Sequence, residues 1–484
     1  MVHIGTARTA LFNLIFARQH GGRFILRLED TDTARGRPEY EQAIYDGLHW
    51  LGINWDEGPD IGGPLGPYRQ SERVEIYGLE TQRLLQSGAV YRCFCTPEEL
   101  QDERQLAARR HQAYRYSGHC RRLDPGEIEA RLDRAQPHCL RLAVSGDEIC
   151  FEDLIRGQVR FRAEDLGDFV IQRTDGQPVF LLSNVVDDHF MGITHVIRGE
   201  EHVSNVPRQL LLMRHLGYQE PVYAHLPLLL NPDRSKMSKR RDPVAIASFR
   251  EQGYLPEAMV NFLALLGWSP GTEEEIFDLD RLTASFSLAQ VSKSGAIFNR
   301  DRLDHLNGWY LRNLSDSELQ RRLAPLVWQV SEPVLKAALP LIRERIIRLN
   351  DAVELLDFLW LDVNPEPTAL LPRKGHRTLK SAQQTAAMVR AYAAACAELR
   401  DPLDPARLRE LADATAEADS CDRRGLYMTI RVAVTGKAVT PPLFESMSLL
   451  GRDACLVRLE RAGARLHELA SAEDTASTDA RGTC

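Results

Sequence analysis

At 484 residues, with 44% hydrophobic and 26% charged residues and no long apolar span, the chain is expected to be a soluble multidomain protein without membrane segments. A net charge of -8 excludes a protein that coats nucleic acid without selection, although a local basic surface could hold a folded RNA. Nine cysteines are too sparse for a disulfide scaffold and point to reduced thiols in a cytoplasm, and His3, Arg8 and Asn13 interrupt any secretory apolar run.

Ala7, Ala10, Leu11, Leu14 and Ala17 recur at helical spacing until Gly21-Gly22 ends the run. His3 and Gly5 thus sit at a helix N-terminus, where free N–H groups and the helix dipole attract phosphate. Gly5 would let a nucleotide approach the backbone, and His3 could donate a hydrogen bond to it. A plain N-cap with a chance histidine is the alternative, because short glycine signatures are weak. An open sheet would normally place a strand before this helix, and none is visible. Residues 23–28 predict a strand, with Glu29-Asp30-Thr31-Asp32 at its carboxyl end, where open α/β sheets bind ligands. Three carboxylates in four residues repel one another and need cations, water or a charged ligand group. A substrate ammonium would fit there. So would a polar turn before the next expected helix, 38–51.

Cys93 and Cys95 open an apparent insertion, followed by a basic helix over 97–114 and by Tyr116-Ser117-Gly118-His119-Cys120. Three thiols with Tyr116, or its competitor His119, as fourth donor could hold a tetrahedral structural zinc; ordinary reduced thiols are the alternative. From 139 to 180 the pattern turns to short strands, with a hairpin turn at Asp175-Gly176. A strand over 194–197 ends in Arg198, whose guanidinium could grip a carboxylate bidentately or pair with Glu200 or Glu29. A helix over 204–216 leads to a buried strand, 222–230, and a turn at Asn231-Pro232-Asp233. Then comes Arg234-Ser235-Lys236-Met237-Ser238-Lys239-Arg240-Arg241, with five basic residues. Lys236 and Lys239 in a loop suit negative charge building on a departing pyrophosphate, and a solvated basic turn suits the same residues.

His3-Ile4-Gly5, Glu29-Asp30-Thr31-Asp32, the run 185–202 and Lys236-Met237-Ser238-Lys239-Arg240 occur in order at fitting separations. Together they resemble the class I glutamyl-tRNA synthetases of the bacterial type. The likeness continues through Phe249-Arg250-Glu251-Gln252-Gly253-Tyr254-Leu255-Pro256, through Asn261-Phe262-Leu263-Ala264-Leu265-Leu266-Gly267-Trp268, and through Val291-Ser292-Lys293-Ser294-Gly295-Ala296-Ile297-Phe298 to Arg431-Val432-Ala433-Val434-Thr435-Gly436.

The resemblance implies an α/β fold: a Rossmann-like catalytic domain in two halves, 1–90 and 180–235, with an acceptor-end-binding insertion at 91–179. It further implies a connecting domain at 236–310 and an all-α half with anticodon-binding domains at 311–372 and 373–470. It implies glutamyl-adenylate formation from ATP with Mg2+ as counter-ion, then transfer to tRNA(Glu), by a cytoplasmic monomer. Carried over by position, His3, Gly5, Lys236 and Lys239 would serve ATP, while Glu29 would receive the amino group of glutamate. Arg198 would bind a substrate carboxylate, and Phe180 and Asn184 would line the same pocket. Cys93, Cys95, Tyr116 and Cys120 match a zinc pattern of some members and of the relative that glutamylates a modified tRNA base.

Two departures stand out. Phe180 occupies a position where the family commonly has a substrate-contacting tyrosine, and the family's first strand, with the turn before its histidine, is missing. The expectation is a poorly active chain as written and an active one when extended upstream. Rival readings are the shorter base-glutamylating relative and a catalytically impaired tRNA-binding paralogue. Beyond Arg241, helical spacing at 257–266, 315–326 and 340–349 predicts helices, with Arg343, Arg345, Arg348, Arg423, Arg424 and Arg431 as candidate phosphate contacts or solubilising charge. The composition of 468–484 predicts an unstructured end, with 471–484 lying beyond the last domain.

Overall fold

The computed structural model describes residues 2–31, 38–237, 244–371, 373–374, 377–378 and 380–479. Its contacts divide the chain into two units, Met1–Glu251 with Pro256–Leu303, and Gln252–Leu255 with Asp304–Cys484.

Seven strands of the first unit form two sheets: β1 (Val90–Cys93), β2 (Cys139–Leu142), β3 (Glu148–Asp153), β4 (Gly157–Arg162), β5 (Phe169–Gln172), β6 (His195–Gly199) and β7 (Val222–Leu226). The order β1-β2-β5 makes a three-stranded antiparallel sheet in the insertion. The order β4-β3-β7-β6 makes the second sheet, in which β3 and β6 both run parallel to β7. Parallel neighbours need a crossover, and the helix Val206–Leu216 supplies it between β6 and β7. Gly217 stops that helix in the left-handed region, at φ 69°. Alternating apolar residues of β2 and β3 (Leu142, Ile149, Phe151) pack with Leu182, Val185 and Leu210 into a buried core. Val196 of β6 and Tyr223 of β7 pack on the same core.

Several expected elements change shape. Residues 23–28 are not a strand: only Ile25 and Leu28 form isolated bridges, to Glu57 and Arg69. A strand needs a continuous ladder, and here the segment instead borders a cleft whose far side includes β6. The expected strand 222–230 breaks at Pro227 into β7 and the short Leu229–Leu230, which pairs with Ala296–Ile297. The basic helix is Pro97–Arg109, opened by a Thr96–Glu99 capping box.

In the second unit, a Ser381–Gln384 capping box starts the helix Ala382–Ala397, which packs on the helix Arg452–Asp479 around Tyr392, Leu459 and Leu466. This last helix runs through residues whose composition points to an unstructured end; 480–484 lie outside the described residues. The helix expected over 340–349 is Glu332–Ile342, and Pro340 sits inside its last turn rather than at a start. Three of the arginines read as candidate phosphate contacts or solubilising charge also bind backbone. Arg343 NH1 donates to the carbonyls of Leu311, Arg312 and Leu314, and Arg345 and Arg431 converge on the Thr440 carbonyl.

Candidate active site

The helix Ile4–Gln19 begins on His3 as its N-cap, with Nδ1 accepting from the Gly5 N–H at 3.0 Å. That bond leaves the ring proton of the neutral imidazole on Nε2, as a donor. Glycine leaves this approach uncrowded: a Cβ on residue 5 would stand 3.2 Å from His3 Nδ1, tighter than ordinary van der Waals contact. Ile4 N–H donates to Val244 O at 2.8 Å, and His3 bridges to Ala245. The segment just after the basic loop is therefore tied to the helix start. On the near side, Lys236 bridges back to Leu230, and Met237 N–H donates to Leu229 O at 3.3 Å. Lys239 and Asp32 lie outside the described residues.

A cleft of about 860 Å3 opens beside this junction. Its lining includes His3, Gly5, Glu29, Phe180, Asn184, Arg198 and Lys236, so every expected substrate or ATP residue within the described residues faces one space. Asp30 turns away, its carboxylate accepting from Ser71 N–H at 2.8 Å and Ser71 Oγ–H at 2.6 Å. The crowding of the acidic turn is relieved by that rotation and by Arg27.

Charge in the cleft is organised by buried partners that sequence patterns did not reveal. Arg27 lies 2.9 Å from Asp188, 3.6 Å from Asp187 and 3.9 Å from Glu29. Asp187, fully buried, also accepts from Arg73 Nε at 2.6 Å, Gln70 at 2.8 Å and the Tyr77 hydroxyl. Glu29 keeps 45% of its side chain open to the cleft. The walls still strip away enough bulk water to raise its carboxyl pKa, and Asp188 and Asp187 add to the rise against the opposing pull of Arg27 and Asn184. Asn184 Nδ2 donates to Glu29 at 3.3 Å. Arg198 NH2 donates to Gln209 at 2.6 Å and to the His202 carbonyl at 3.4 Å; burial lowers its pKa from the ordinary arginine value. Arg27 was detectable as the residue two before Glu29, on the same face of an extended chain. Gln209 carried no such signal.

In the insertion, Cys93 and Cys139 are opposite one another across β1 and β2. The sulfurs of Cys93, Cys95 and Cys120 lie within 4.8 Å of one another. The Tyr116 hydroxyl is 3.4 Å from the sulfurs of Cys93 and Cys95. His119 is exposed and outside this group, whereas the Tyr116 hydroxyl lies against it. Hydrogen bonds from Cys120 and Cys139, and further ones from Tyr116 and Arg141, hold the Cys93 thiol below its usual range despite burial. Soft donors in a compact, buried group fit zinc.

Residues 1–305 match the family described as tRNA synthetases class I (E and Q), catalytic domain, and residues 318–463 match an anticodon binding domain. The glutamate–tRNA ligase 1 of Syntrophomonas wolfei is 42% identical over 95% of this chain and 93% of its own length. That of Acidothermus cellulolyticus is 45% identical over 96% and 93%. The crystal structure of a glutamate tRNA ligase from Elizabethkingia meningosepticum, in complex with its amino acid, superposes with a TM-score of 0.84 at 32% identity, covering 96% of this chain and 97% of the other. With catalytic and helical regions both matched in order and nearly end to end, the chain belongs to the class I tRNA synthetases of the E and Q family, among the glutamate–tRNA ligases.

Proposed function

We propose that the protein attaches glutamate to tRNA(Glu) in two steps in this cleft. First, an oxygen of the glutamate α-carboxylate bonds to the α-phosphorus of ATP as the bond to the bridging oxygen of the β-phosphate breaks, giving glutamyl-adenylate and pyrophosphate. Then the terminal ribose hydroxyl oxygen of tRNA bonds to the acyl carbon as the bond from that carbon to the adenylate oxygen breaks, AMP departs, and the hydroxyl proton is released. The observation that carries this reading is that Glu29 and Arg198 line one cleft, beside the helix start at His3 and Gly5. Glu29 receives the substrate ammonium, Arg198 grips a carboxylate, and Asn184 and Phe180 shape the wall between them. The triphosphate, entering as its Mg2+ complex, meets His3 Nε2–H, the backbone at Gly5 and Lys236, with Lys239 assigned the same duty. These groups position the reactants and stabilise charge on pyrophosphate.

The insertion, 91–179, holds the acceptor end, residues 236–310 connect, and the helical segments 311–372 and 373–470 read the anticodon. Cys93, Cys95, Cys120 and Tyr116 would hold a zinc ion that braces the insertion rather than taking part in either step. No described helix is long and apolar enough to cross a membrane. In this reading the protein works as a monomer in the cytoplasm, where free thiols are at home.

Aminoacylation of separate tRNA(Glu) and tRNA(Gln) transcripts tests the reading. Glutamate-dependent pyrophosphate exchange and charging of tRNA(Glu) are expected. A folded protein that exchanges pyrophosphate with another amino acid in preference to glutamate would overturn it.

A further inference from the structure

Behind Arg198 stand two buried residues that the mechanism above does not use. In the parallel register of β6 and β7, Arg198 is opposite His225, and β3 flanks β7 on its other side with Asp153 opposite Tyr223. The three side chains form a line across the sheet. Asp153 Oδ2 lies 2.6 Å from His225 Nδ1, and Arg198 Nε lies 3.2 Å from His225 Nε2. The side chains of Asp153 and His225 are 0% exposed.

Hydrogen-bond chemistry fixes the proton in this line. An arginine Nε–H can only donate, so His225 Nε2 must accept, and the ring proton must sit on Nδ1. The carboxylate of Asp153, an acceptor only, enforces that tautomer. Burial pushes the Asp153 carboxyl up, but the bonds from His225 and from the Arg156 and Ile155 N–H groups outweigh it and hold the group ionised. Its two oxygens divide the labour. Oδ1 accepts the backbone N–H groups of Ile155 at 3.0 Å, Arg156 at 2.8 Å and His225 at 3.3 Å, while Oδ2 serves the imidazole.

We propose that Asp153 and His225 are positioning residues for amino-acid binding: they pin Arg198 Nε through a single imidazole tautomer and so aim the far side of the guanidinium at the substrate carboxylate. Gln209 and the His202 carbonyl hold NH2 from another direction, and among the described residues NH1 donates to none. A guanidinium fixed on two sides keeps its remaining donors preorganised for a ligand. The inference rests on the reading of Arg198 as the carboxylate ligand.

Asp153→Asn separates tautomer control from folding. Asparagine keeps an oxygen for the three backbone N–H groups but places an NH2 against Nδ1. The ring proton then moves to Nε2 and meets the Arg198 Nε–H donor to donor. In ATP–pyrophosphate exchange the glutamate KM is expected to rise roughly tenfold or more, with the ATP KM and kcat within about twofold. His225→Gln, which restores an acceptor near Nε2, is expected to be milder than His225→Leu. Arg198→Gln distinguishes the two levels of the argument. If it leaves the glutamate KM unchanged, the reading of Arg198 fails and the relay with it. If it raises the glutamate KM while Asp153→Asn does not, the relay alone is overturned. Equal effects of Asp153→Asn on glutamate and ATP also overturn the relay. Should Asp153→Asn not fold, the 15N shifts of the wild-type His225 ring decide: a protonated Nδ1 with a bare Nε2 supports the relay, and the reverse overturns it.

Discussion

Gln209 Nε2 donates to Asn184 Oδ1 at 2.8 Å, and that bond joins the two charged ends of the cleft. Asn184 continues to Glu29, and Gln209 to Arg198. Two neutral amides thus stand where a direct ion pair would otherwise form. Glu29 and Arg198 are held in one hydrogen-bonded chain without pairing directly, so neither occupies the other's place against a zwitterionic ligand.

Gln209→Glu tests the neutrality of that bridge. A carboxylate in the place of the amide oxygen, 2.6 Å from Arg198 NH2, would pair with the guanidinium and compete with the substrate carboxylate. It would also leave the Asn184 Oδ1 without its donor. The glutamate KM is expected to rise roughly tenfold, with ATP binding little changed, as measured in pyrophosphate exchange.

The raised carboxyl of Glu29 sets a pH dependence. Only the ionised form pairs with a substrate ammonium, and burial in the cleft wall, reinforced by Asp188 and Asp187, favours the neutral form. As pH falls through this raised pKa, Glu29 takes up a proton and glutamate binding weakens. The acid limb of kcat/KM for glutamate is therefore expected above the ordinary glutamate side-chain range. In Glu29→Gln, kcat/KM is low throughout and this limb is absent; a wild-type limb in the ordinary range would contradict the assignment.

Zinc analysis of the purified protein, before and after Cys93→Ser, checks the cluster of the insertion. Near-stoichiometric metal in the wild type and little in the variant is expected, because a serine hydroxyl is a harder and less readily deprotonated donor than a thiol. His119→Ala is expected to retain the metal, since its exposed ring lies outside the group formed by Cys93, Cys95 and Cys120.

Much of the site was legible because its motifs sit where elements begin or end. His3 and Gly5 start a helix, Arg198 lies near the end of β6, and the cysteines flank a strand and a tight turn. Such positions are set by local pattern. What escaped is what tertiary pairing alone brings together. Asp153 and His225 are 72 residues apart and meet only because β3 and β7 are neighbours, and Arg73 reaches Asp187 across 114 residues. The strand expected at 23–28 and not formed has the same cause: its residues have strand propensity, but the ladder depends on a partner that propensity does not specify.

The Arg73–Asp187 pair carries a stability prediction. Arg73 is 2% and Asp187 0% exposed in the side chain, and Gln70 and Tyr77 share the same carboxylate. Arg73→Met removes one charge and leaves the other buried, a change that typically costs about 3–5 kcal/mol. Arg27, 3.6 Å from Asp187, offsets part of this, so the lower end of that range is expected. Urea unfolding of the first unit's transition measures it.

Phe180 offers the one substitution expected to improve the site. It lines the cleft at the N-terminus of the helix Phe180–Phe190, with its ring 6.0 Å from that of His202. The resemblance to bacterial-type glutamyl-tRNA synthetases places a substrate-contacting tyrosine at this position. Tyrosine keeps the ring and adds one hydroxyl, and a cleft of about 860 Å3 has room for it. A net hydrogen bond contributes about 0.5–1.5 kcal/mol, so Phe180→Tyr should lower the glutamate KM by between roughly twofold and tenfold. If the new hydroxyl reaches glutamate, the gain disappears for a substrate analogue lacking the group it contacts. An equal gain for every analogue would mean that the hydroxyl acts by stiffening the wall instead.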